Sequence, residues 1–140
     1  MRELGLIADE VAGARPIEVG ALREAIVYDY PPVALREIFV NAVIHRDYES
    51  NTPIMIQHFE DRMEVHNPGG LYGDLRLEDF SRATAYRNPI LAEAAKNLGY
   101  VNRFGRGVPR VKEVSTRNGS PPPQFDPQER YFLVILWKRT

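Results

Sequence analysis

The chain has no cysteine. Disulfides, thiolate metal centres and a cysteine nucleophile are therefore excluded. Histidine is scarce. His45, His58 and His66 are scattered, which argues against a zinc cluster. No apolar run approaches the roughly 20 residues that a membrane span requires. Met1 to Ala14 mixes acids with apolar residues and lacks the layout of a signal peptide. Charge of one sign is lacking too: 18 basic and 19 acidic residues leave a formal net charge of −1. Global charge thus gives no support to a nucleic-acid or membrane surface. A cytoplasmic domain with no membrane partner is the expectation.

What remains is ordinary for one packed domain: 140 residues, 44% of them apolar. Leu4 to Val11 suggests a short helix. Leu22 to Tyr28 leans towards extended structure through Ile26, Val27 and Tyr28. Pro31 and Pro32 then open a helix, with Leu35, Ile38, Phe39, Ala42 and Val43 at helical spacing up to His45. Thr52 to Phe59 and Arg62 to His66 read as a β-hairpin turning at Glu60-Asp61 and ending at Asn67-Pro68-Gly69-Gly70. Leu71 to Arg87 reads as a loop, with one helical turn at Leu77 to Phe80. Asn88 caps and Pro89 opens a further helix to about Leu98, with Gly99 past its end. A glycine loop at Phe104 to Gly107 precedes a helix over Val108 to Arg117. Pro121 to Pro123 forms a stiff connector. Tyr131 to Trp137, nearly all apolar, reads as a buried strand. The order implies an α/β (α+β) two-layer sandwich, its helices on one face of a mixed, mostly antiparallel sheet.

Three features carry chemistry. Glu37 and Asn41 are four residues apart, so they share a helix face that His45 continues. A carboxylate there suits a general base, and an amide oxygen suits Mg²⁺. His45 and Arg46 are placed to meet phosphates. Taken alone, the stripe reads first as a solvated helix face. Asn67, Gly69 and Gly70 end a strand where glycine lets a ligand approach closely. Gly105, Arg106 and Gly107 open a helix, where free N–H groups cradle anions. Each of these two alone is weak.

Their order resembles the N, G1 and G2 boxes of the GHKL (Bergerat-fold) ATPases, which include gyrase, the histidine kinases and the MutL mismatch-repair proteins. More narrowly, Leu35-Arg36-Glu37, Asn41 through Tyr48, Asn67 through Leu71, Arg87-Asn88-Pro89 and Phe104 through Gly107 resemble one bacterial family. That family is labelled RecG-like helicase C-terminal or AlbA-type transcriptional regulator. The resemblance covers residues 30 to 137. It implies a Bergerat fold binding Mg-ATP, with Glu37 as catalytic base and Asn41 as magnesium ligand. His45, Arg46, Asn67, Gly69, Gly70, Gly105, Arg106 and Gly107 would contact the nucleotide. Asn67 replaces the aspartate that reads adenine in the wider superfamily, and Leu71 stands where a second G1 glycine is expected. No P-loop is present, so no motor.

The resemblance further implies a lead-in at residues 1–30 and an ATP-binding domain at 31–140. Nothing ahead of Pro31 fits the family's DNA-binding AlbA-like domain, so a C-terminal piece of a longer protein is expected, with DNA contacted through the domain it lacks. A homodimer is left open. Slow ATP hydrolysis is the strongest activity implied. The alternatives are a degenerate dimerisation or protein-interaction module, and direct DNA binding through Arg82, Arg87, Arg103, Arg106, Arg110, Lys112 and Arg117.

Overall fold

The computed structural model describes residues 1–71, 87–100 and 107–140. The helical turn expected at Leu77 to Phe80 lies outside them. The described chain runs α1 (Arg2–Ala12), β1 (Ala14–Gly20), β2 (Arg23–Tyr28), α2 (Pro32–His45), β3 (Met55–His58) and β4 (Arg62–Pro68). It continues through α3 (Pro89–Asn97), α4 (Gly107–Asn118), β5 (Gln124–Pro127) and β6 (Tyr131–Trp137). No described helix is long and apolar enough to cross a membrane.

The main sheet has the order β3-β4-β6-β5, and all its neighbours are antiparallel. Register fixes its inner face. Met63 faces Leu136, Val65 faces Val134 and Asn67 faces Phe132. Side chains alternate across a strand, so Met63, Val65 and Asn67 all point to the core side. Helices α2 and α4 cover that side. Leu35, Phe39, Met63, Val111 and Leu136 form the centre of the core, with Tyr30 fully buried beside them. Ala12 joins the same core and brings α1 against α2. On the other flank of α2, Val40 and Ile44 meet Ala92 and Ala95 of α3.

Strand β6 corrects the sequence reading. Phe132 and Leu136 are buried, but Leu133, Ile135 and Trp137 are only half-buried and Tyr131 is exposed. The described helices lie on one side of the sheet, so among the described residues no second helical layer covers the apolar residues of the other face. Strands β1 and β5 were not expected. The first pairs with β2 in a separate hairpin, and the second is a four-residue edge between Pro123 and Pro127.

The ends of the helices follow from the chain. Pro31 sits at the N-cap of α2 with Pro32 at its first position. Gly99 (φ 77°) and Gly119 (φ 77°) end α3 and α4 in the left-handed conformation. Asn88 reverses its expected role. It makes no side-chain cap for α3. Its amide instead donates to the carbonyls of Ile44 at 2.9 Å and Arg46 at 2.7 Å, closing the C-terminal end of α2. Helix ends leave carbonyls that need donors, and this one finds them 42 and 44 residues away.

Replacing Asn88 by alanine removes both donors at a part-buried helix end. Stability is expected to fall by about 1–3 kcal/mol. The shift of the urea unfolding midpoint at unchanged slope measures it.

Candidate functional site

Helix α2 is covered on nearly every side. Glu37 is 8% exposed and sits among buried Leu35, Ile38, Val40 and Ala42. The Glu37–Asn41–His45 stripe is therefore no solvated face. A buried carboxylate needs a partner, and Arg110 of α4 supplies one at 3.5 Å. The first residue of α4 comes still closer. A Cβ on Gly107 would lie 2.8 Å from Asn41 Nδ2 and 3.5 Å from Glu37 Oε2. Glycine here permits the start of α4 to abut the carboxylate–amide pair.

Between α2, α4 and the sheet lies a largely apolar cleft that opens to solvent. Asn41 and His45 line it from α2, Asn67 from β4, and Gly69 and Gly70 from the turn beyond. Gly107, Val108 and Val111 line it from α4, while Phe125, Phe132 and Val134 form the floor. Six of the ten nucleotide-site candidates thus converge on one concave surface. Glu37 stands at its edge behind Gly107. Gly105 and Arg106 lie outside the described residues.

Arg46 does not face the cleft. It follows the last turn of α2 with extended backbone (φ −59°, ψ 138°). Its guanidinium donates to the carbonyls of Ser50 at 3.3 Å and Thr52 at 2.7 Å, and stacks 4.9 Å from the Tyr48 ring. It shapes the loop after α2.

The glycine turn is held by backbone. Gly69 has φ 101°, and its N–H donates to Arg130 O at 2.8 Å. A Cβ at Gly70 would sit 2.3 Å from Gln128 O, so a second turn packs directly on it. Asp47 N–H donates to Pro68 O at 2.8 Å, which ties the end of α2 to the end of β4. Arg87 completes the tie. It donates to Gly70 O at 3.3 Å and stands 3.9 Å from the Asp47 carboxylate. The Arg87-Asn88 pair is a part of the site's frame that the functional reading of the sequence missed. Its signal was the X-Pro helix opening that invited a local cap instead.

Asn67 is the most telling side chain. It is 5% exposed, and its Oδ1 is buried with no hydrogen-bond partner among the described residues. An orphaned buried carbonyl oxygen costs about 1–3 kcal/mol, and of the described groups in this state Asn67 Oδ1 is the one whose residue lines the cleft. His45 is the other polar wall group with a shifted state. Burial, with the Arg87 cation second, pushes its pKa from 6.5 down to about 4. The ring is neutral at physiological pH and meets an anion only as a hydrogen-bonding group.

This neutrality has a measurable consequence. The unfolded chain binds a proton at His45 near pH 6.5, and the folded chain does so only near pH 4. Stability from this residue is full above pH 6.5 and is lost as pH falls towards 4, up to about 3 kcal/mol. A His45→Gln variant is expected to lack that part of the slope in unfolding free energy between those pH values. Identical slopes for the two proteins would refute the buried neutral ring.

Comparison with known proteins bears on the fold and the family. No curated protein matches the chain. A crystal structure of the DIP2311 protein from Corynebacterium diphtheriae superposes with a TM-score of 0.86 at 27% identity, covering 99% of this chain and 29% of that one. The chain therefore spans less than a third of that relative's length. The family described as "Putative ATP-dependent DNA helicase recG C-terminal" matches residues 51–136, from the approach to β3 through most of β6. That span takes in Asn67, Gly69, Gly70 and Gly107, over more than half of the sequence, and the chain belongs to this RecG C-terminal family.

Proposed function

We propose that the cleft is a Bergerat-type site that binds Mg-ATP, in a domain that senses nucleotide for a longer regulator- or helicase-related protein. The orphaned Asn67 oxygen at the inner wall of an apolar cleft is the observation that carries this reading. Val65, Val111, Phe125, Phe132 and Val134 would exclude water around a planar base. The Asn67 oxygen would accept from an amino group on that base. The start of α4 at Gly107 would turn its free N–H groups towards phosphate. Asn41 would offer its amide oxygen to the magnesium that accompanies the phosphates.

The donor set suits that cation. Among the described residues no group of three His, Asp or Glu side chains could hold a metal unaided. Magnesium keeps several waters and takes one or two protein oxygens beside substrate phosphates, which one amide in this place can supply. Bound magnesium would neutralise phosphate charge.

Binding is favoured over turnover. Glu37 is engaged by Arg110 and screened by Gly107, so its carboxylate must be released before it can take a proton from water. Direct DNA binding through the basic residues is not favoured. Arg110 faces Glu37, Arg117 faces Glu113, and Arg87 faces Asp47. These pairings reduce the charge that three of the described basic residues offer to a phosphate backbone. DNA contact is assigned to another domain of the longer protein.

Calorimetric titration of Mg-ATP into the chain is expected to show micromolar to low millimolar binding that requires Mg²⁺. Asn41→Ala is expected to remove the magnesium requirement and most of the affinity. Gly107→Ala places a methyl where the Asn41 amide now lies. Affinity should drop about tenfold or more, as for loss of a hydrogen bond to a charged group. The unfolding midpoint should barely move, because the displaced atom is the end of a flexible side chain. No heat with any adenine nucleotide would overturn the reading and leave an interaction module in its place.

A further inference from the structure

We propose that Asn67 makes this cleft a purine site without preference between 6-amino and 6-oxo rings, so that Mg-ITP binds as Mg-ATP does. The inference rests on the nucleotide reading above. Its ground is how little the protein constrains the Asn67 amide. The strand alternation of β4 aims the side chain inward, where it is 5% exposed. Asparagine commonly satisfies its oxygen locally on the N–H two residues ahead. Here that N–H, on Gly69, is already donated to Arg130 O, and Pro68 between them has none. The oxygen is left without a partner, and no hydrogen bond among the described residues fixes which way the amide faces.

An amide presents an acceptor and a donor side by side, and its last torsion is soft. Adenine offers the complementary pair: the 6-amino donor beside the N1 acceptor. A 6-oxo purine offers the reverse pair, an O6 acceptor beside the N1–H donor. Turning the Asn67 amide over exchanges its two ends and meets the second ring as well as the first. A carboxylate in this position would accept only, and would leave the acceptor of either ring without its donor. Nothing else in the described lining breaks the tie electrostatically. His45 is neutral, and Glu37 is paired with Arg110. Asn41 adds a second neutral amide, and Val65, Val111, Phe125, Phe132 and Val134 are apolar. Discrimination needs an interaction that one ligand satisfies and the other violates.

Titration of Mg-ATP and Mg-ITP into the 140-residue chain tests this. The two dissociation constants are expected to agree within about threefold, well below the tenfold that one lost hydrogen bond brings. Asn67→Asp, checked for folding by circular dichroism, loses the donor that N1 of adenine or O6 of the 6-oxo ring would meet, and is expected to weaken both nucleotides by about tenfold or more. ATP binding with ITP weaker by about tenfold or more in the unaltered chain would overturn the inference while leaving the nucleotide site standing. If neither nucleotide binds, the site itself is refuted and the inference with it. The comparison on the unaltered chain decides without the variant.

Discussion

The tie between the end of α2 and the end of β4 is the constraint on which the rest depends. A helix end and a strand end both leave backbone groups to satisfy, and here they satisfy each other. Asp47 N–H closes on Pro68 O, the Asn88 amide closes on Ile44 and Arg46, and Arg87 spans Gly70 and Asp47. Every one of these bonds joins segments distant in sequence. The core already seats α2 on the sheet, and these bonds fix the ends of α2 and β4, from which Asn41, His45, Asn67 and Gly69 reach the cleft. Asp47, Arg87 and Asn88, none of them a candidate nucleotide contact, make this joint.

The cleft beside the joint follows a simple economy. Its walls are apolar except at a few points, and those points are neutral or paired. Glu37 has Arg110, His45 has lost its proton, and Asn67 has an amide in place of a charge. Low polarity strengthens each polar contact that a ligand makes there and penalises each one it fails to make. A site of this kind selects by hydrogen-bond pattern more than by net charge.

Much of the fold was legible because burial imprints period on sequence. Helix α2 and strand β4 each pack one or more faces, and their spacing announced them. Strand β1 is exposed along almost its whole length, so no face was selected and no alternation arose. Strand β5 has four residues, with Phe125 as its one half-buried aromatic. That is too short for a period to emerge. Asn88 shows a different limit. Its local signal for an N-cap was sound, but a carbonyl end more than 40 residues back competed for the same amide and won. The parts of the candidate site could be picked out in the sequence, and Asn41, Asn67 and Gly107 line one cleft. That Glu37 is buried and paired could not be read, because it depends on where α4 lands.

The main sheet stops at β3 on one side and β5 on the other. Both edges are four residues long. Proline stands close before each, at Pro53 and Pro123, and Pro127 ends β5. An open edge is a template for a strand from another copy, and proline and short length are what blunt it. The sheet is thereby guarded against growth in its own plane, and fibrous association through these edges is disfavoured even at high concentration. Association between copies is left to the helices or to the open sheet face.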